Sequence, residues 1–140
     1  MEYEVSRELD AELGVVWRVL VDVERWPEWT QSVTSARKLE PAPLGLGSEV
    51  RIKQPKLPPA LWRVTDFQPG KSFTWASRVP GLTTFGFHRL VPESDGGVTV
   101  RVGTEQRGPL TPVSVLLFAG LIRRHIDAEI SGLKRRCERA

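Results

Sequence analysis

The chain has 140 residues, 40% hydrophobic and 26% charged, with twenty basic residues against seventeen acidic ones and a net charge of +3. That is one domain, expected to run over residues 1–140 and large enough to bury a core without staples. One cysteine excludes an internal disulfide framework, the two widely separated histidines exclude the common zinc spacings, and no apolar run reaches bilayer-spanning length, so no metal, cofactor or membrane span is expected.

The opening EYEVSREL, residues 2–9, alternates loosely and predicts a strand. Asp10 is placed to cap a helix in which Leu13, Val16, Trp17, Leu20 and Val21 recur at helical spacing. Pro27 limits the next piece, Glu24 to Trp29, to a brief turn. From Ser32 the pattern is strand-like: SVTSARKLE, SEVRIKQ, LWRVTDF, SFTWASRV, LTTFGFHRLV and VTVRVGTEQR, separated by PAPLGLG, PKLPP, QPGK, PG and PESDGG. Turn signals at such short intervals predict an antiparallel meander, and Asp95-Gly96-Gly97 is the strongest hairpin signal. Thr111 before Pro112 predicts the start of a helix over 112–138. Its apolar stripe is Val115, Ala119, Ile122, Ile126, Ile130, Leu133 and Cys137.

That order predicts an α+β fold, a curved antiparallel sheet of about seven strands wrapped around a long C-terminal helix, with two short helices after strand 1. A gap between concave sheet and convex helix is the natural ligand site. The runs Arg123-Arg124 and Lys134-Arg135-Arg136 read as the wet side of that helix, so no nucleic-acid partner is expected. MEYEVSRELD lacks the basic and apolar stretches of a secretory signal, and a cytoplasmic location is expected.

VWRVLVDVERWPEW, GLGSEVRI, WRVTDFQPGKSFTW, HRLVPESDGGVTVRV and the terminal GLKRRCE, in this order, resemble the START-like, Bet v 1-like (SRPBCC) superfamily. The branch they most resemble is the polyketide cyclase/dehydrase and lipid-transport family. The resemblance implies a helix-grip fold with a cavity for a hydrophobic small molecule. It does not decide the activity, because this superfold hosts carriers, hormone receptors, cyclases and proteins without known chemistry, and it supplies no catalytic motif at His88.

Several residues are candidates to line that cavity. Trp29 can offer a flat apolar wall or, with Trp26, pin the short helices to the sheet. Trp62, Phe73, Trp75 and Phe118 form an aromatic supply that serves either a pocket or ordinary core. On the sixth strand Leu82, Thr84, Gly86, His88 and Leu90 share a face assigned inward, which turns Phe85 and Phe87 outward; Gly86 there opens volume beneath the long helix. Val102, Thr104 and Gln106 continue an inward row on the last strand, with two polar ends able to meet ligand oxygens. Ile122 belongs to the helix stripe. His125, at its flank, is expected at the surface near the cavity mouth.

For catalysis the candidates are His88, as a proton shuttle, and Arg63, to polarise a carbonyl. Arg63 and Asp66, three apart on a strand, are expected on opposite faces. The leading expectation is binding of a polyketide-like or lipid-like molecule by a carrier or sensor. The alternative is a polyketide cyclase/aromatase or dehydratase that folds a poly-ketone chain, holds an enolate with Arg63 and moves protons through His88. A third expectation uses the nearly all-apolar VSVLLFAGLI, 113–122, for a protein partner; the same segment can instead line the cavity, form a dimer contact or touch a membrane transiently, and the chain is expected as a monomer or a homodimer.

Overall fold

A computed structural model describes residues 2–139; the two ends of the expected domain, 1 and 140, lie outside that description. Among the described residues, β1 (Glu2–Leu9), β2 (Ser35–Lys38), β3 (Glu49–Lys53), β4 (Ala60–Gln68), β5 (Ser72–Val79), β6 (Leu82–Pro92) and β7 (Val98–Arg107) form one sheet. Its order is β1-β7-β6-β5-β4-β3-β2 and every pairing is antiparallel. Strands β2 to β7 therefore meander, and β1 returns to the free edge of β7. Helix α1 (Leu13–Val21) and a short 3-10 helix (Val23–Glu28) link β1 to β2, and α2 (Thr111–Glu138) ends the chain. This is the helix-grip α+β arrangement.

The β6–β7 hairpin shows the turn chemistry at work. Gly96 adopts φ +90°, and the Asp95 carboxylate accepts a hydrogen bond from the Gly97 amide at 2.9 Å. The ladder that follows pairs His88 with Val102, Gly86 with Thr104 and Thr84 with Gln106. These residues share the inner face, whereas Phe85 and Phe87 lie outside. Phe85 packs under the Arg107 guanidinium, and Phe87 lies across Gly103, where a Cβ would collide with its ring.

Two helix starts differ from expectation. Asp10 does not cap α1: Glu12 occupies that position without a side-chain bond, and the Asp10 amide donates to Glu138 at 2.9 Å, tying the end of β1 to α2. Thr111 is the first residue of α2 rather than its cap, because the Leu110 amide is already fixed on the Gly81 carbonyl at 2.9 Å and Leu110 takes the cap position. The strand expected over SVTSARKLE is confined to Ser35–Lys38.

A bulge breaks the alternation of β4. Val64 pairs with Trp75 and Asp66 with Thr74, so Thr65 is the extra residue. Arg63 and Asp66 consequently both lie on the exposed outer face, not on opposite faces.

The core sits between the inner face of the sheet, α1 and the second half of α2. Val16, Leu20, Phe73, Val100, Ile130 and Leu133 are its sealed centre. Gly132 lets α2 cross directly on the Trp29 carbonyl. The first half of α2 behaves differently. Val115, a stripe position, is exposed, and Leu116 and Leu117 are 83% and 65% exposed. This half overhangs the sheet with space beneath it.

Candidate functional site

That space is a cavity of about 420 Å³, within the usual range of roughly 300–1,000 Å³ for small-molecule sites. Trp62, Trp75, Thr84, Gly86, Phe118 and Ile122 line it. The register explains how. Trp75 pairs with Gly86, and a Cβ at Gly86 would stand 2.8 Å from the Trp75 indole nitrogen. The volume that glycine frees is thus filled by the indole, which becomes part of the wall. Trp62 packs beside it, ring centres 5.8 Å apart.

Thr104 and Gln106 also line the cavity, but much of their hydrogen-bonding capacity is used within the protein. The Thr104 hydroxyl donates to the Phe85 carbonyl at 2.8 Å. Gln106 accepts from the Ser114 hydroxyl at 3.0 Å, and its amide nitrogen lies 3.4 Å from Thr84 Oγ1. These bonds join β6, β7 and the first turn of α2 along the cavity wall.

Four of the singled-out residues stand elsewhere. Phe73 is fully buried and stacks on the His88 ring at 4.3 Å, so it backs the site without lining it. Val102 is sealed in the core. Trp29 packs on Trp26 at 5.4 Å and is covered by α2 at Gly132; its buried indole nitrogen has no hydrogen-bond partner. Arg63 points away from the cavity, and neither Lys nor Arg lines it.

His88 sits at the inner end, 3% exposed, within an aromatic cage of Trp26, Phe73 and Trp75. Its Nε2–H donates to Glu129 Oε1 at 2.9 Å, and Nδ1 lies 3.4 Å from the Phe73 carbonyl oxygen. Glu129, the residue sequence reasoning missed, is itself only 7% exposed. Its signal was legible: an acid flanked by Ile126 and Ile130 on the apolar side of a helix needs a buried partner. His125, one turn earlier, is buried rather than at the surface, and lines the cavity. Its Nε2–H donates to the Pro55 carbonyl at 3.1 Å. Burial pushes its pKa below the usual histidine value, more than the Pro55 bond and Glu129 raise it; Arg124 adds to the lowering. The loop carrying Pro55 contributes Gln54, Leu57 and Pro58 to the far wall.

The family described as polyketide cyclase/dehydrase and lipid transport matches residues 1–138. The chain belongs to that family. Solved structures share the fold of this chain. A hypothetical protein of Helicobacter pylori superposes with TM-score 0.81 at 12% identity, over 97% of this chain and 86% of that one. A START superfamily protein of Mycobacterium smegmatis gives 0.74 at 15% identity, over 99% and 97%. The di-domain ARO/CYC BexL of the BE-7585A biosynthetic pathway gives 0.74 at 18% identity, over 96% of this chain and 45% of that one. Among curated protein sequences none matches. Among the described residues no helix is long and apolar enough to cross a membrane.

Proposed function

We propose that this domain binds an apolar, ring-containing small molecule, polyketide-like or lipid-like, between its sheet and α2, as a carrier or sensor. The observation that carries this reading is the cavity itself. Its walls are mostly aliphatic and aromatic, with few polar groups, the composition that extracts an apolar molecule from water. The test is native mass spectrometry on protein from its own host, compared with the same sample denatured. A discrete adduct lost on denaturation is the expected result, and its mass identifies the ligand. Protein that stays bare and also fails to take up added apolar probes overturns the reading.

A cyclase or dehydratase reading rests on the likeness to the ARO/CYC domain and on the His88–Glu129 pair at the inner end of the cavity. It loses the enolate stabiliser assigned to Arg63, which faces outward. In this reading His88→Gln abolishes turnover of a poly-ketone substrate; unchanged turnover removes His88 as the proton shuttle.

The overhanging start of α2 supports a further role, contact with an anionic lipid surface. Leu116 and Leu117 project outward beside Leu110, Val113 and Phe118 of the cavity rim. No acid occurs from 106 to 126, and Lys56, Arg78, Arg123 and Arg124 are exposed without an ion-pair partner among the described residues. An apolar tip with a basic surround suits insertion among acidic headgroups. Co-sedimentation with phosphatidylglycerol vesicles, absent with phosphatidylcholine and lost in Leu116→Gln/Leu117→Gln, is the expected pattern. Equal binding by parent and variant sinks it.

A further inference from the structure

The polar atoms that α2 leaves unused at the inner end of the cavity are both acceptors. Glu129 has one carboxylate oxygen held by His88 Nε2–H at 2.9 Å; its other oxygen, Oε2, has no hydrogen-bond partner among the described residues. The residue is more than nine-tenths buried, and the cavity is the space it lines. His125 stands one turn away on the same side of the helix. The Pro55 oxygen can only accept, so the His125 Nε2 facing it carries the hydrogen. Burial favours the uncharged ring, leaving Nδ1 with a lone pair and no hydrogen-bond partner among the described residues. No Lys or Arg lines the cavity to offer a compensating donor.

We infer that the cavity selects apolar ligands carrying a hydrogen-bond donor at their leading end, a phenol, enol or alcohol, and that Glu129 Oε2 receives that donor. The inference rests on the small-molecule reading above and adds the ligand's chemistry. A buried acceptor without a donor is left desolvated and unpaired, so an isostere lacking the O–H binds less well. A carboxylate ligand brings only acceptor oxygens to atoms that are themselves acceptors. Fatty acids are therefore rejected, and the fatty alcohol or phenol of similar size is accepted. His88 cannot fill this role, since Glu129 and the Phe73 carbonyl face its two nitrogens. It is a positioning residue that orients the carboxylate.

The test is calorimetric titration of the full chain with 2-naphthol, 2-methoxynaphthalene and 2-naphthoate. The parent protein is expected to bind 2-naphthol about tenfold more tightly than the methyl ether, as leaving one buried acceptor unpaired warrants, and 2-naphthoate most weakly. In Glu129→Gln the amide oxygen accepts from His88 Nε2–H and the amide nitrogen faces the cavity, so an acceptor becomes a donor. The preference for 2-naphthol over its ether then disappears. Should that variant not fold, His88→Gln/Glu129→Gln, an amide pair without buried charge, takes its place with the same expectation. Equal affinity of the parent for naphthol and ether overturns this inference alone, as does a preference that survives either substitution. Binding of none of the three probes overturns the small-molecule reading and this inference with it.

Discussion

His88 on β6 and Glu129 on α2 meet at 2.9 Å inside a cage of three aromatic rings, and that bond joins the centre of the sheet to the middle of the long helix. Both side chains are nearly sealed from bulk water. Removing one partner strands the other. Glu129→Ala is expected to cost about 3–5 kcal/mol, the usual penalty for breaking a buried pair, whereas replacing both partners by apolar groups is close to neutral. Urea unfolding of Glu129→Ala, His88→Leu and the double variant His88→Leu/Glu129→Leu checks this. The double variant should recover most of the loss. A Glu129→Ala protein as stable as the parent would show that the bond contributes nothing.

The His88 half of this relationship was legible in the sequence and the Glu129 half was not read. Alternation over Leu82 to Leu90 places His88 inward because β6 is regular throughout, and the Asp95-Gly96-Gly97 turn sets its register against β7. Where regularity breaks, facing is lost. The extra residue in β4 sends Arg63 and Asp66 to one face, and nothing in LWRVTDF marks Thr65 as the bulge. The stripe of α2 fails for another reason. Periodicity reports that a helix has an apolar side, not what lies against it. Over its second half that side meets the core at Ile130, Leu133 and Cys137. Over its first half Ser114, Phe118 and Ile122 face a cavity, while Val115 is left exposed. The helix-grip fold was thus readable from pattern and resemblance together. The cavity's lining depended on cross-strand partners and on where α2 parts from the sheet.

Gly132 is a second place where local preference and packing disagree. Alanine there gains about 1 kcal/mol of helix propensity. A Cβ, however, would run into the Trp29 carbonyl oxygen, a backbone atom that cannot swing aside. Overpacking against so rigid a neighbour costs about 3 kcal/mol, so the net expectation for Gly132→Ala is a destabilised protein. Gly14, with nothing near its missing Cβ, is the control. Gly14→Ala should raise the unfolding midpoint through propensity alone. Matching effects of the two substitutions would mean that the crossing of α2 on Trp29 is loose.

Stability should also fall as the solution is acidified, in part through His125. Its pKa in the folded protein lies below the ordinary value of 6.5, because burial disfavours the imidazolium. Between those two values the unfolded chain binds more protons than the folded one, so stability rises with pH across that window. His125's favourable contribution is complete above the unfolded value and is lost as pH falls through 6.5 toward the folded value. Arg124 and Glu129 act on the ring in opposite directions and do not reverse the sign. Comparing urea midpoints of parent and His125→Gln from neutral to mildly acidic pH isolates this residue. The parent's midpoint should drop more steeply; parallel curves would place the titration elsewhere.

Cys137 reports on the same end of α2 from a different direction. It lies in the core, and burial pushes its thiol up to about 11, outweighing the lowering by Arg136. At about pH 8 only roughly one thiol in a thousand is then ionised, and the thiolate is the reactive form. Modification must wait for an opening that both exposes the sulfur and restores its ordinary acidity. Labelling with a chromogenic disulfide reagent should be slow in the native protein and immediate in concentrated guanidinium. Gly132→Ala, which disturbs α2 just over one turn away, should accelerate it, whereas Gly14→Ala should not. Native labelling as fast as that of the unfolded chain would mean that the last turns of α2 are frayed, and with them the packing that holds Gly132 against Trp29.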